Sequence, residues 1–192
     1  CTAVWDGPVP APVRLARETV TRLLSGRPLP ERGSDVCASP LWGRTAACFV
    51  SIKTSQGALR GCIGTLVPSQ ATLDREIIEN AVAAATRDPR FPPMTAEELE
   101  GVRLSVDVLS DPEPVEGVEQ LDPRLWGVIV SKGWRRGVLL PDLEGVDTAE
   151  QQVEIAARKA GLGSLEGVAL QRFGVTRYRE QDAVTGRLPI LS

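Results

Sequence analysis

The heptad Leu59-Arg60-Gly61-Cys62-Ile63-Gly64-Thr65 sets a thiol and a guanidinium among glycines. Arginine is charged at every working pH, and glycine leaves neighbouring backbone N–H groups open to approach, so both favour a thiolate at Cys62. In an extended strand residues 60 and 62 share a face, as such a pairing requires. The chain contains no histidine. The commonest activator of a cysteine nucleophile is therefore missing, as is the commonest zinc ligand. Two other readings of the same residues stand beside the nucleophile. Cys62 can be a small buried hydrophobe on a core strand whose glycines serve close packing. The heptad can also be a backbone nest for an anionic ligand, with the thiol a spectator.

A second cluster, Arg87-Asp88-Pro89-Arg90-Phe91-Pro92-Pro93, puts two arginines on a proline-stiffened loop. Such a loop can hold a phosphate or carboxylate bidentately at small cost in ordering entropy. The plainer reading is a surface helix end at which Arg87 and Arg90 complement the macrodipole. Trp134-Arg135-Arg136 is either a stacking and phosphate-binding site or a solvated turn with a packed indole. Asp107, Asp142 and Glu150 have no spacing that singles out an acid/base pair. Cys1, Cys37, Cys48 and Cys62 form no CxxC pair, so free thiols are expected, with no metal site and no cofactor.

The elements that must position these groups are readable. Residues 1–12 are proline-rich and read as an extended lead-in, and 13–192 as the folded unit. Leu15, Val20, Leu23 and Leu24 mark a first helix stopped by Gly26, followed by an irregular stretch over 26–43. Residues 45–53 and 58–66 read as two strands joined by Ser55-Gln56-Gly57. A three-residue loop predicts Val50 opposite Cys62 and Cys48 opposite Gly64, making the two cysteines diagonal neighbours on one face. From Pro68 and Ser69 the spacing of Leu73, Ile77, Ile78, Ala81, Val82 and Ala85 predicts a helix that ends before Asp88-Pro89. Thr95 to Glu98 carries a capping-box pattern, residues 102–109 alternate as a strand, and 111–123 read as an exposed loop. A hairpin around Lys132-Gly133, a helix capped by Thr148 and stopped by Gly161, and an extended segment over 168–179 complete the chain. Hairpin-paired strands with interspersed helices predict an α+β fold with a mostly antiparallel sheet.

The chain has 192 residues, 42% hydrophobic and 24% charged, with a net charge of −3. That composition suits an ordinary globular protein. The acidic balance, with one tyrosine and three phenylalanines available for stacking, argues against a general nucleic-acid binder. No apolar run approaches the ~20 residues of a membrane span. No signal-peptide pattern is visible, so a cytoplasmic location is expected. The start at Cys1 rather than Met suggests a segment of a longer or processed polypeptide.

Leu59 to Thr65 resembles the LRGCIGT signature of the AMMECR-one family. Ala47 to Lys53, Arg87 to Pro93, Gly137-Val138-Leu139-Leu140-Pro141 and Ala157-Arg158-Lys159-Ala160-Gly161 follow in the family's order. The likeness covers about residues 13–180. It implies a two-lobed α+β unit with a cleft near the LRGCIG strand, and cytoplasmic proteins encoded beside, or fused to, Memo-like (extradiol-dioxygenase type) and radical-SAM partners. It brings no established reaction, so whether the chain is an enzyme stays open. The expected role is small-anion binding within a modification pathway, with Cys62 as candidate nucleophile and Arg60, Gly61, Gly64, Thr65, Arg87 and Arg90 as candidate ligand residues. A non-catalytic module that docks one of those partners is the alternative, and RNA association a weaker one.

Overall fold

The computed structural model describes residues 9–180. They divide into two compact units, 9–108 with 177–180, and 109–176. Both are α+β with antiparallel pairing.

In the first unit, α1 (Ala11–Leu24) begins directly after Pro10, with Pro12 in its first turn where a missing N–H costs nothing. It starts inside the stretch expected to be a lead-in; residues 1–8 of that stretch lie outside the described residues. The irregular connection contains two short 3-10 turns, Gly33–Asp35 and Pro40–Gly43. Strands β1 (Cys48–Thr54) and β2 (Leu59–Gly64) form the expected hairpin, and β3 (Val102–Leu109) pairs with the other side of β1. β2 is thus an edge strand. Helix α2 (Leu73–Thr86) packs on β1 and β2, and α1 packs on α2. Period-two alternation sends Cys48, Val50 and Ile52 of β1 into this core, each 0% exposed. Leu104, Val106 and Val108 of β3 join them as their direct cross-strand partners.

Two expectations are corrected here. α2 starts at Leu73 rather than near Pro68, because the N–H groups of Ser69 and Gln70 donate to the buried Glu76 carboxylate (2.8 and 2.7 Å) instead of opening a helix. The hairpin register is also displaced by one residue. Arg60 is an extra residue in β2, a β-bulge, so Ser51 rather than Val50 faces Cys62, and Gly64 faces Phe49. A one-residue slip exchanges faces. Cys48 and Cys62 consequently point to opposite sides of the sheet, and the predicted diagonal pair does not exist.

In the second unit, β5 (Trp126–Lys132) and β6 (Arg135–Leu139) form the hairpin turned at Gly133. β7 (Ala169–Arg179) pairs with β5, and a short strand β4 (Glu113–Val115), within the expected loop, pairs with β7. Helix α3 (Ala149–Lys159) has the predicted capping box, Thr148 Oγ1 accepting from the Gln151 N–H at 3.2 Å and Gln151 Oε1 from the Thr148 N–H at 3.1 Å. Its Val153, Ala156 and Ala157 close a separate core with Val128, Val130 and Leu139. Beyond residue 176 the chain re-enters the first unit, where Arg177 is ion-paired with Asp107 at 2.7 Å.

No helix among the described residues is long and apolar enough to cross a membrane.

Candidate functional site

Each residue of the heptad can be assigned a physical task. A Cβ on Gly61 would lie 2.2 Å from the Ala84 carbonyl oxygen, so only glycine lets α2 lie this close to β2. Gly64 sits under the Phe49 ring in the same way. Thr65 donates to Glu76, which also accepts from the Ser69 N–H, the Ser69 hydroxyl and the Gln70 N–H. That buried carboxylate fastens the end of β2 to the first turn of α2.

Cys62 shows how the heptad and the Arg87–Pro93 loop belong together. As an edge residue its peptide N–H and C=O face away from β1, a pairing hazard that folded proteins cover. Asp88, 4% exposed, accepts the Cys62 N–H at 2.9 Å, and Arg90 Nη2 donates to the Cys62 carbonyl at 3.3 Å. The clasp is closed by Arg90 donating to both Asp88 oxygens, at 2.9 and 2.7 Å. The Arg90 bonds hold the Asp88 carboxyl well below the usual carboxylate range; they outweigh burial, and the Cys62 N–H adds to them.

The three arginines proposed from sequence for an anion each meet a carboxylate. Arg60 bonds Glu98 through two nitrogens (2.6 and 3.0 Å), lowering the Glu98 pKa, and Arg87 pairs with Glu79 at 2.5 Å. The guanidiniums of Arg60 and Arg90 each lie over the Phe91 ring, 5.9 and 5.6 Å from its centre. The cation placed against Cys62 is therefore Arg90, a residue of the other motif.

The Cys62 side chain points to the face opposite α2 and is partly exposed, with its Sγ 3.1 Å from Ser51 Oγ. Cys48, buried behind β1, is a different thiol: burial pushes its pKa up to about 12, only partly offset by an Asn80 hydrogen bond. Ser51 is in turn paired with Ser105 of β3, so Cys62, Ser51 and Ser105 make one cross-strand row. Among the described residues no group of three or more His, Cys, Asp or Glu side chains is arranged for a metal ion.

The AMMECR1 family profile matches residues 13–183. The chain belongs to the AMMECR1 family. Among similar proteins, one from Thermotoga maritima is 53% identical over 72% of this chain and 80% of its own length. One from Clostridium acetobutylicum is 44% identical over 88% of this chain, yet the match spans only 36% of that longer protein. The crystal structure of an uncharacterised Pyrococcus horikoshii protein superposes with a TM-score of 0.76 at 31% identity, covering 88% of this chain and 89% of that one. Within this AMMECR1 domain the sequence motifs are legible as a strand, its glycine-dependent helix contact and its clasp.

Sequence reasoning missed a recess of about 280 Å³ beside the same row. Lys53, Ser55, Arg103, Ser105 and Arg179 line it, from three strands and a turn. Their positions in the chain span more than a hundred residues, so no local motif announces them. The available signal was weaker: Lys53 and Arg103 both occupy outward-facing positions of predicted strands.

Proposed function

We propose that this AMMECR1 domain is a small-ligand-binding component of a modification pathway, acting on the polar sheet face that carries Cys62, Ser51 and Ser105. The observation that carries the reading is Cys62 itself: its peptide is gripped by Asp88 and Arg90 while its thiol is left partly exposed beside a hydroxyl. A core cysteine such as Cys48 is buried, whereas the Cys62 thiol lies partly exposed on the face opposite α2. Treating the folded protein with iodoacetamide and mapping the adducts by mass spectrometry tests it. Cys62 is expected to label at least about tenfold faster than Cys48, because only a thiolate attacks and Cys48 is held neutral by burial. Equal protection of the two thiols would remove the thiol from the reading.

One observation favours a second reading, docking to a protein partner. Trp134, at the tip of the β5–β6 hairpin, is 89% exposed, with the Arg135 guanidinium 5.5 Å from its ring centre. Exposed Trp and Arg together are the residue types that anchor interfaces. The longer Clostridium relative is consistent with this domain working joined to another. A Memo-like or radical-SAM protein is the partner proposed. Trp134→Ser should abolish its co-purification with the domain while leaving Cys62 labelling unchanged.

A further inference from the structure

We infer that the recess lined by Lys53, Arg103 and Arg179 is a binding site for the phosphate group of a small phosphorylated molecule. The inference rests on the reading of this sheet face as the ligand site, and it gives that ligand a chemical class. Lys53 and Arg103 are direct Cα partners across β1 and β3. Like charges facing one another in an antiparallel pair destabilise it, so the pairing works against the fold unless an anion joins it. Neither side chain has a carboxylate partner among the described residues; Arg103 Nη1 donates only to the Glu100 and Val102 carbonyls. The one carboxylate lining the recess, Glu180, is committed elsewhere. It is held by Arg17 through two bonds of 2.6 and 2.7 Å and accepts the Leu104 N–H at 2.8 Å.

A phosphate suits this set better than a carboxylate. Guanidinium forks match its oxygens bidentately, the Lys53 ammonium adds a point charge, and a dianion answers several cations at once. Ser55 and Ser105 supply hydroxyl donors on the rim. A volume of about 280 Å³ lies at the small end of ligand sites, which favours a metabolite over a polymer. Cys62 stands two strand spacings from Ser105, roughly 10 Å, so a phosphate in the recess leaves the rest of a small ester lying along the Ser105–Ser51–Cys62 row.

Thermal melts of the full chain with inorganic phosphate, against chloride at matched ionic strength, test this. The wild type should gain Tm with phosphate in a saturable manner. Lys53→Gln and Arg103→Gln should melt no lower than wild type without phosphate, since each removes a repulsion. Each should also weaken the phosphate response by about tenfold, the loss of one charge-assisted contact. Cys62→Ser should keep the full response, which separates failure of the recess from failure of the thiol reading. Equal effects of chloride and phosphate, undiminished responses in both variants, or stronger binding of a single-stranded RNA oligonucleotide than of phosphate would each overturn the proposal. Circular dichroism of the variants confirms that any lost response belongs to a folded protein.

Discussion

At the scale of single residues, Asp88 is the side chain on which the Cys62 strand depends most. It is buried, accepts a main-chain N–H from another element and is ion-paired with a guanidinium that returns to the same peptide. Asp88→Ala leaves the Cys62 N–H without its partner, and urea denaturation should show a loss of about 1–3 kcal/mol. Arg90→Ala, removing a half-exposed partner, should cost about 1 kcal/mol or less in the same experiment. The ordering follows from burial: the carboxylate is out of water and the guanidinium is not. A result in which the two variants are equal would mean that the ion pair, rather than the peptide clasp, stabilises the strand.

At the scale of elements, the decisive contact is α2 against β2. Gly61→Ala drives a methyl group into the Ala84 carbonyl, which as helical backbone has no rotamer to yield, and should destabilise by about 1–3 kcal/mol. Gly64→Ala meets the Phe49 ring and also the Cys48 carbonyl oxygen, 2.7 Å from the added carbon, so chemical denaturation should find a loss of the same order. The element order was legible in the sequence because the helices carry a 3.6-residue stripe and the strands alternate. The register was not. A single extra residue at Arg60 changes no periodicity that a short strand can display, yet it decides that Cys62 meets Ser51 rather than Val50. The start of α2 was hidden for a similar reason: the Ser69 and Gln70 amides were drawn off by Glu76, a partner set by tertiary packing. At the candidate site, the sequence singled out the residues of the clasp but not their mutual pairing. Lys53, Arg103 and Arg179 were invisible as a group because strand pairing alone brings them together.

At the scale of the whole molecule, the chain carries a net charge of −3, yet cations gather on one sheet face of the first unit. The same unit holds Asp74, Asp88 and Glu98 with lowered pKa values. At Asp74, burial is overcome by bonds from Thr72, Gly33 and Arg75, while Arg90 and Arg60 lower the other two. A carboxyl whose folded pKa lies below its unfolded value stabilises the fold above the ordinary carboxylate range, near pH 4, and loses that contribution as pH falls through the folded value. Hydrogen exchange should therefore show protection of β1–β3 amides steady near neutrality and declining below about pH 4. Asp88→Asn should flatten that decline. The central claim is that ligand chemistry belongs to the Lys53–Arg103 face beside Cys62, while the Arg87–Pro93 loop serves as a clasp. Titrating 15N-labelled protein with inorganic phosphate tests this most directly. The account predicts saturable shifts at the amides of Lys53 to Gly57 and Arg103 to Ser105. Shifts centred on Arg87 to Phe91, or none that saturate, would contradict it.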